Sequence, residues 1–179
     1  MKKLRTEELG RSSPEQALSG TRSPFVIILD DLRSAHNVGS IFRTCDAFLV
    51  EELNLCGITP CPPHREISKT ALGSTNSVKW SNFERTEDAI NKFKANGYKI
   101  IAVEHTDSSI QLQKMEFNDQ KKTAFVFGSE VNGISNNVLE LCDLAVEIPM
   151  FGSKHSFNVS VCAGIVLWEA WSKQNRTNL

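Results

Sequence analysis

Residues 159–171, VSVCAGIVLWEAW, constrain this chain more than any other stretch, because they leave almost no polar face. A helix that is apolar all round has to be buried, in a core or against a partner. Just before it, a short apolar strand (Ala145, Val146, Ile148) stops at Pro149, which has no N–H to give to a ladder. Ser156, Asn158 and Ser160 then offer side-chain oxygens to the first N–H groups of the helix. A polar loop carrying Gly152 is thus pinned between a buried strand and a buried helix, where α/β proteins hold ligands.

The preceding chain alternates two periods. FVIIL at 25–29 is a continuous apolar run of the kind a strand buried on both faces requires. In the following DDLRSAHNVGSIFRTC, Val38, Ile41, Phe42 and Cys45 recur at helical spacing, with Asn37 as the expected N-cap. Gly39 admits close approach of a ligand or another backbone, and Arg43 lies off the apolar stripe. Next come a strand at 53–57, a stiff loop at Cys61-Pro62-Pro63, a short helix at 66–72 and a strand at 77–83 carrying Trp80. A helix at 86–96 has Thr86 as cap, Glu87 and Asp88 in its first turn, Lys92 and Lys94 late, and Gly97 as its stop. Strands at 98–103 and 123–127 follow, and a helix running from Ser135 through Cys142. The alternation predicts an α/β fold with a mostly parallel, doubly wound sheet.

At 179 residues and 40% hydrophobic content, one domain over 25–173 is expected, with a basic polar arm at 1–24 and a frayed tail at 174–179. The arm carries Lys2, Lys3, Arg5, Arg11 and Arg22; it is either a loosely packed segment or a contact for polyanion phosphates. Lys173 and Arg176 are the other basic additions. With a net charge of −1, nucleic acid has to be met by a local patch rather than a global field. No apolar run is long enough to span a membrane and no signal-peptide core appears, so a cytoplasmic protein is expected. The 5 cysteines form no CxxC pair and read as reduced thiols rather than a metal site. No GxGxxG follows the first strand and there is no Walker motif, which argues against dinucleotide and ATP binding. Ser153 or Ser156 with His155 lacks the strand–GxSxG–helix elbow of a hydrolase.

Loops 30–37, 128–135 and 149–158 all leave carboxyl ends of buried strands, an edge where loops converge on one crevice. Together they and the first helix offer Asn37, Arg43, Glu130, Ser156 and Asn158, with Gly39, Gly128, Gly133 and Gly152 exposing backbone. Singly, each of these has a plainer use as a cap, a turn or a surface charge.

Taken in order, NVGSIFRT, FGSEVNGIS and IPMFGSKHSFNVSVCAG resemble the signature motifs of the SpoU, or TrmH-like, branch of the SPOUT RNA methyltransferases. KTALGS before Trp80 joins the resemblance, which spans 25–168. The chain departs at His36, where proline is frequent, at Phe157, where leucine is usual, and at Cys162, where alanine is common. The resemblance implies methyl transfer from S-adenosylmethionine to a ribose 2′-hydroxyl of RNA. It also implies a C-terminal trefoil knot, which periodicity does not show, and a homodimer through the C-terminal helix. Tied to it are a cofactor site near Val103, Glu104, Gly128, Ile148, Met150 and Phe157, and an arginine, Arg43, acting on the hydroxyl. Asn37, Glu130, Ser156 and Asn158 match its polar neighbours. Arg43 is then either a base or a cation orienting the hydroxyl. The expected substrate is tRNA; ribosomal RNA, or a non-catalytic role as a cofactor-binding RNA assembly factor, is the alternative.

Overall fold

The computed structural model describes residues 1–5, 8, 10, 13–117 and 122–175; Arg11 and Arg176 of the basic segments, and the end of the tail, lie outside them. Its centre is β1 (Ser23–Asp30), paired in parallel with β2 (Val50–Cys56) on one side and β6 (Thr123–Phe127) on the other. Outward from β2 lies β3 (Trp80–Phe83). Outward from β6 lie β4 (Lys99–Val103), β7 (Leu144–Glu147) and the short β5 (Ile110–Gln111). The sheet order is β3-β2-β1-β6-β4-β7-β5, and every named pair is parallel.

Both faces of the sheet are covered. Phe25, Ile27 and Leu29 enter one core with α2 (Ala35–Ala47), α3 (Arg65–Ala71) and α6 (Val159–Gln174). Val26 and Ile28 enter the other with α4 (Thr86–Ala95) and α5 (Asn136–Leu139). A strand with buried neighbours on both faces has no polar side to show, which accounts for the FVIIL run. The close approach expected at Gly39 is made by α3: a Cβ there would stand 2.4 Å from the Ile67 carbonyl oxygen.

Several local expectations are corrected. Asn37 is not the N-cap of α2. The helix begins earlier, at Ser34, whose Oγ accepts the Asn37 N–H at 3.3 Å, and the Asn37 side chain is left available. Thr86 does not cap α4; Arg85 holds that position, and the Thr86 hydroxyl donates to the buried Asp30 carboxylate instead. The helix after Ser135 ends at Leu139 rather than Cys142, because the chain must turn back to the sheet, where the Asp143 N–H reaches the Ile100 carbonyl at 2.9 Å. The strand expected from 77 starts at Trp80, after a 3-10 turn over Ser74–Asn76.

The arm is more than loose chain. It contains α1 (Pro14–Ser19), closed by a capping box between Ser13 and Gln16. Arg22 is no phosphate ligand in waiting, since its guanidinium donates to the carbonyls of Ala17, Val50 and Ser77. Lys173 is likewise committed: its side chain is 12% exposed, paired with Glu169 and bonded to the carbonyls of Gln113 and Met115. In α6 the apolar circumference divides. Ala163, Val166, Leu167 and Ala170 face the core, whereas Val161 and Trp168 are 50% and 56% exposed. No helix of the described residues is long and apolar enough to cross a membrane.

Candidate functional site

The carboxyl ends of β4, β6 and β7 and the start of α6 enclose a cavity of about 440 Å³. That is within the usual range for a small-molecule site. Val103, Phe127, Val146, Ile148, Met150 and Phe157 supply apolar wall; Glu104, Glu130 and Glu147 are its carboxylates, and among the described residues neither lysine nor arginine lines it.

The loop after β6 folds tightly to make one side. Ser129 and Gly133 exchange two backbone hydrogen bonds of 3.0 Å, and the chain doubles back against Gly128. A Cβ on Gly128 would stand 2.1 Å from the Gly133 carbonyl carbon, so only glycine fits there. Glu104 locks this fold from β4, accepting the Ile134 N–H at 3.1 Å and its neighbour His105 N–H at 2.9 Å. Beneath, Asp30 accepts the Ser135 N–H at 3.2 Å. Burial pushes the Asp30 carboxyl above its usual range, only partly countered by the bonds from Thr86 and Ser135.

Glu130 turns the other way, to the start of α2. It accepts the N–H groups of Arg33 and Ser34 at 3.0 and 3.2 Å and the Asn37 side-chain amide at 2.8 Å. Partial burial pushes its carboxyl up, but the Arg33 N–H, the Asn37 amide and the remaining backbone donors outweigh that and hold it below the usual range. Asn37 Oδ1 in turn accepts from Asn158 Nδ2 at 3.1 Å. Asn158 caps α6, its Oδ1 taking the Ser160 N–H at 3.0 Å. A hydrogen-bonded chain Glu130–Asn37–Asn158 thereby ties three distant loops together along the mouth of the cavity.

Of the residues singled out from sequence, Val103, Glu104, Gly128, Ile148, Met150 and Phe157 all line this cavity, as do Glu130, Ser156 and Asn158. Asn37 joins them through Glu130 and Asn158. Arg43 does not line it: it stands exposed on α2 with no hydrogen bond or ion pair to another described residue. Sequence reasoning passed over His105, Ser109 and Glu147. Glu147 Oε2 accepts from Ser109 Oγ at 2.7 Å and lies 3.1 Å from His105 Nδ1. The available signal was position, since His105 and Glu147 directly adjoin Glu104 and Ile148 at the same strand ends. Among the described residues no group of His, Cys, Asp or Glu is arranged to hold a metal ion.

An all-parallel sheet with a cavity of mixed polarity outside its strand ends defines an α/β protein that binds a small, apolar-faced ligand at a sheet-end crevice. The SpoU rRNA Methylase family model matches residues 24–168, and the chain belongs to that family. It is 30% identical to the tRNA (guanosine(18)-2'-O)-methyltransferase of Thermus thermophilus, over 96% of this chain and 87% of that relative. The crystal structure of the A. aeolicus TrmH/SpoU tRNA modifying enzyme superposes with a TM-score of 0.81 at 27% identity, covering 92% of this chain and 82% of the other. The AdoMet-bound rRNA methyltransferase from Sinorhizobium meliloti gives 0.78 at 27% identity, covering 94% and 62%.

Proposed function

We propose that this chain is an S-adenosylmethionine-dependent RNA 2′-O-ribose methyltransferase that acts on tRNA. The observation that carries the reading is the cavity's continuity with the Glu130–Asn37–Asn158 chain, which sets a small-molecule site beside an open polar mouth. The residues fit the cofactor. Ile148, Met150, Phe157 and Val103 offer apolar surface for an adenine plane, and carboxylates with no lysine or arginine among the described lining residues suit a cation better than a phosphate-bearing nucleotide. When bound, the cofactor supplies a methyl group on a sulfonium, already a good leaving group.

The chain's own work is therefore positioning rather than acid catalysis. Glu130, with its oxygens occupied by donors, orders the start of α2 and holds Asn37; it is not a free base. Arg43 acts as the cation that orients the ribose hydroxyl and an adjoining phosphate, because a guanidinium keeps its proton in proteins. Ser156 and Asn158 frame the opening through which the ribose enters.

Relatives named for tRNA favour tRNA over ribosomal RNA. Family membership supports the C-terminal trefoil knot, and segments 128–133, 146–150 and 156–162 surrounding one cavity are consistent with it. A homodimer is supported by Val161 and Trp168 of α6, apolar side chains that are 50% and 56% exposed. Free cysteines accord with a reducing cytoplasm. Incubating the protein with S-adenosylmethionine and separated tRNA and ribosomal RNA, then quantifying 2′-O-methylnucleosides by mass spectrometry, tests the reading. Methylation of tRNA is expected. Transfer confined to ribosomal RNA overturns the substrate, and cofactor binding without any transfer points to an assembly factor.

A further inference from the structure

Most polar side chains around the cavity are already spent. Both Glu104 oxygens accept backbone N–H groups, and both Glu130 oxygens accept donors from 33–37. Asn158 uses its oxygen on Ser160 and its amide on Asn37. His105 is different. Its Nδ1 faces the Glu147 carboxylate at 3.1 Å, and its Nε2 has no partner among the described residues. A carboxylate only accepts, so the neutral ring carries its proton on Nδ1 and leaves Nε2 as an acceptor. The Ser109 hydroxyl and the His105 ring, both bonded to Glu147, also hold its carboxyl below the usual range.

The turn that carries the ring is tied at both ends. The Glu104 N–H donates to the Val146 carbonyl at 3.0 Å, and β5 pairs with β7 at Gln111 and Glu147. Between those ties, the 105–109 turn closes through Thr106 and Ser109, and Ser109 Oγ is bonded to Glu147. Glu147 thereby anchors the turn from the end of β7 and fixes the tautomer of His105, an arrangement like that which orients a histidine by an outer carboxylate in metal sites. Apolar walls alone discriminate poorly against a ligand that lacks a hydroxyl, whereas a fixed acceptor penalises its loss.

We propose that His105 Nε2 accepts a hydrogen bond from a ribose hydroxyl of the adenosyl group, and that Glu147 and Ser109 are the positioning residues that aim it. His105 is then the side chain by which the cavity tells a ribonucleoside ligand from a deoxyribonucleoside. This rests on the cofactor reading above.

The test uses calorimetry with S-adenosylhomocysteine, then its displacement by adenosine, 2′-deoxyadenosine, 3′-deoxyadenosine and inosine. In wild type, one deoxyadenosine binds more weakly than adenosine. His105→Ala weakens S-adenosylhomocysteine, adenosine and inosine by about 3- to 10-fold, the worth of one hydrogen bond, and leaves that deoxyadenosine unchanged. Glu147→Ala reproduces the loss, the double variant is no worse than His105→Ala alone, and Glu147→Gln restores part of the affinity. Unchanged melting temperatures exclude a folding effect; the His105 side chain is 50% exposed. Equal weakening of adenosine and both deoxyadenosines overturns the hydroxyl contact, as does a His105→Ala protein that binds normally. A loss that disappears only with inosine assigns His105 to the base and overturns it too. Wild type that binds no S-adenosylhomocysteine overturns the cofactor reading itself, a result distinct from the others.

Discussion

Asn158 Nδ2 donates to Asn37 Oδ1 at 3.1 Å across a sequence separation of 121 residues. One amide thus serves two purposes, because its oxygen caps α6 while its nitrogen holds the start of α2. The two functions separate by substitution. Asn158→Ala loses both and is expected to lower stability by about 1 kcal/mol, the usual worth of a cap. Asn158→Asp keeps the capping oxygen and removes the donor. It should unfold in urea near the wild-type midpoint yet transfer methyl groups far more slowly.

Arg43→Ala should abolish methyl transfer while changing cofactor affinity little, since Arg43 is exposed and outside the cavity wall. Its stability should stay within about 0.5 kcal/mol of wild type. Calorimetry alongside a turnover assay checks both halves. A variant that keeps most of its turnover removes Arg43 from the mechanism.

The donors around Glu130 hold its carboxyl below the value of the unfolded chain, about 4.3 for glutamate. A depressed folded value stabilises the protein above the unfolded value, and that stability drains away as pH falls through the folded one. Glu130→Gln is therefore less stable than wild type near neutrality, and the gap narrows as acid protonates the wild-type carboxyl. Urea unfolding of the two proteins at neutral pH and in acid measures this.

Burial pushes the thiols of Cys56, Cys142 and Cys162 up to about 12, and that of Cys45 higher still. Reactive thiolate is scarce when a thiol is raised in this way, so all four are expected to react slowly in the native protein. A thiol reagent followed by mass spectrometry should label Cys61 first, as burial raises it less. Cys45 and Cys56, both fully buried, should label only on unfolding.

Trp168 stacks on Trp171 at 5.9 Å between ring centroids and touches Phe48 at 6.4 Å, yet is 56% exposed. Light scattering on wild type should give twice the 20.0 kDa chain mass, and Trp168→Glu should give a monomer.

The central strands were legible from sequence because burial on both faces writes itself as unbroken apolar runs such as FVIIL and TAFVF, and the loops expected to converge do line one cavity. Caps were less so. Ser34 and Asn37 are both good capping residues, and only Glu130, far along the chain, draws the Asn37 side chain away. Thr86 was diverted in the same way by Asp30. Arg22 and Lys173 read as free charges because their partners are backbone carbonyls, which no residue type announces. The His105–Glu147 contact was hidden for a related reason: it depends on β5, a strand too short for periodicity to reveal.

The sheet order carries a consequence for biosynthesis. β1 lies between β2 and β6, and β6 leaves the ribosome roughly a hundred residues after β1. Until then β1 can meet only one of its two partner strands, so its other edge stays bare, an invitation to pair with other nascent chains. The same long-range pairing makes folding slow, because a large loop must close before the centre of the sheet repays its entropy. Chains truncated before Thr123 should therefore be found with chaperones or in aggregates, not as small folded fragments.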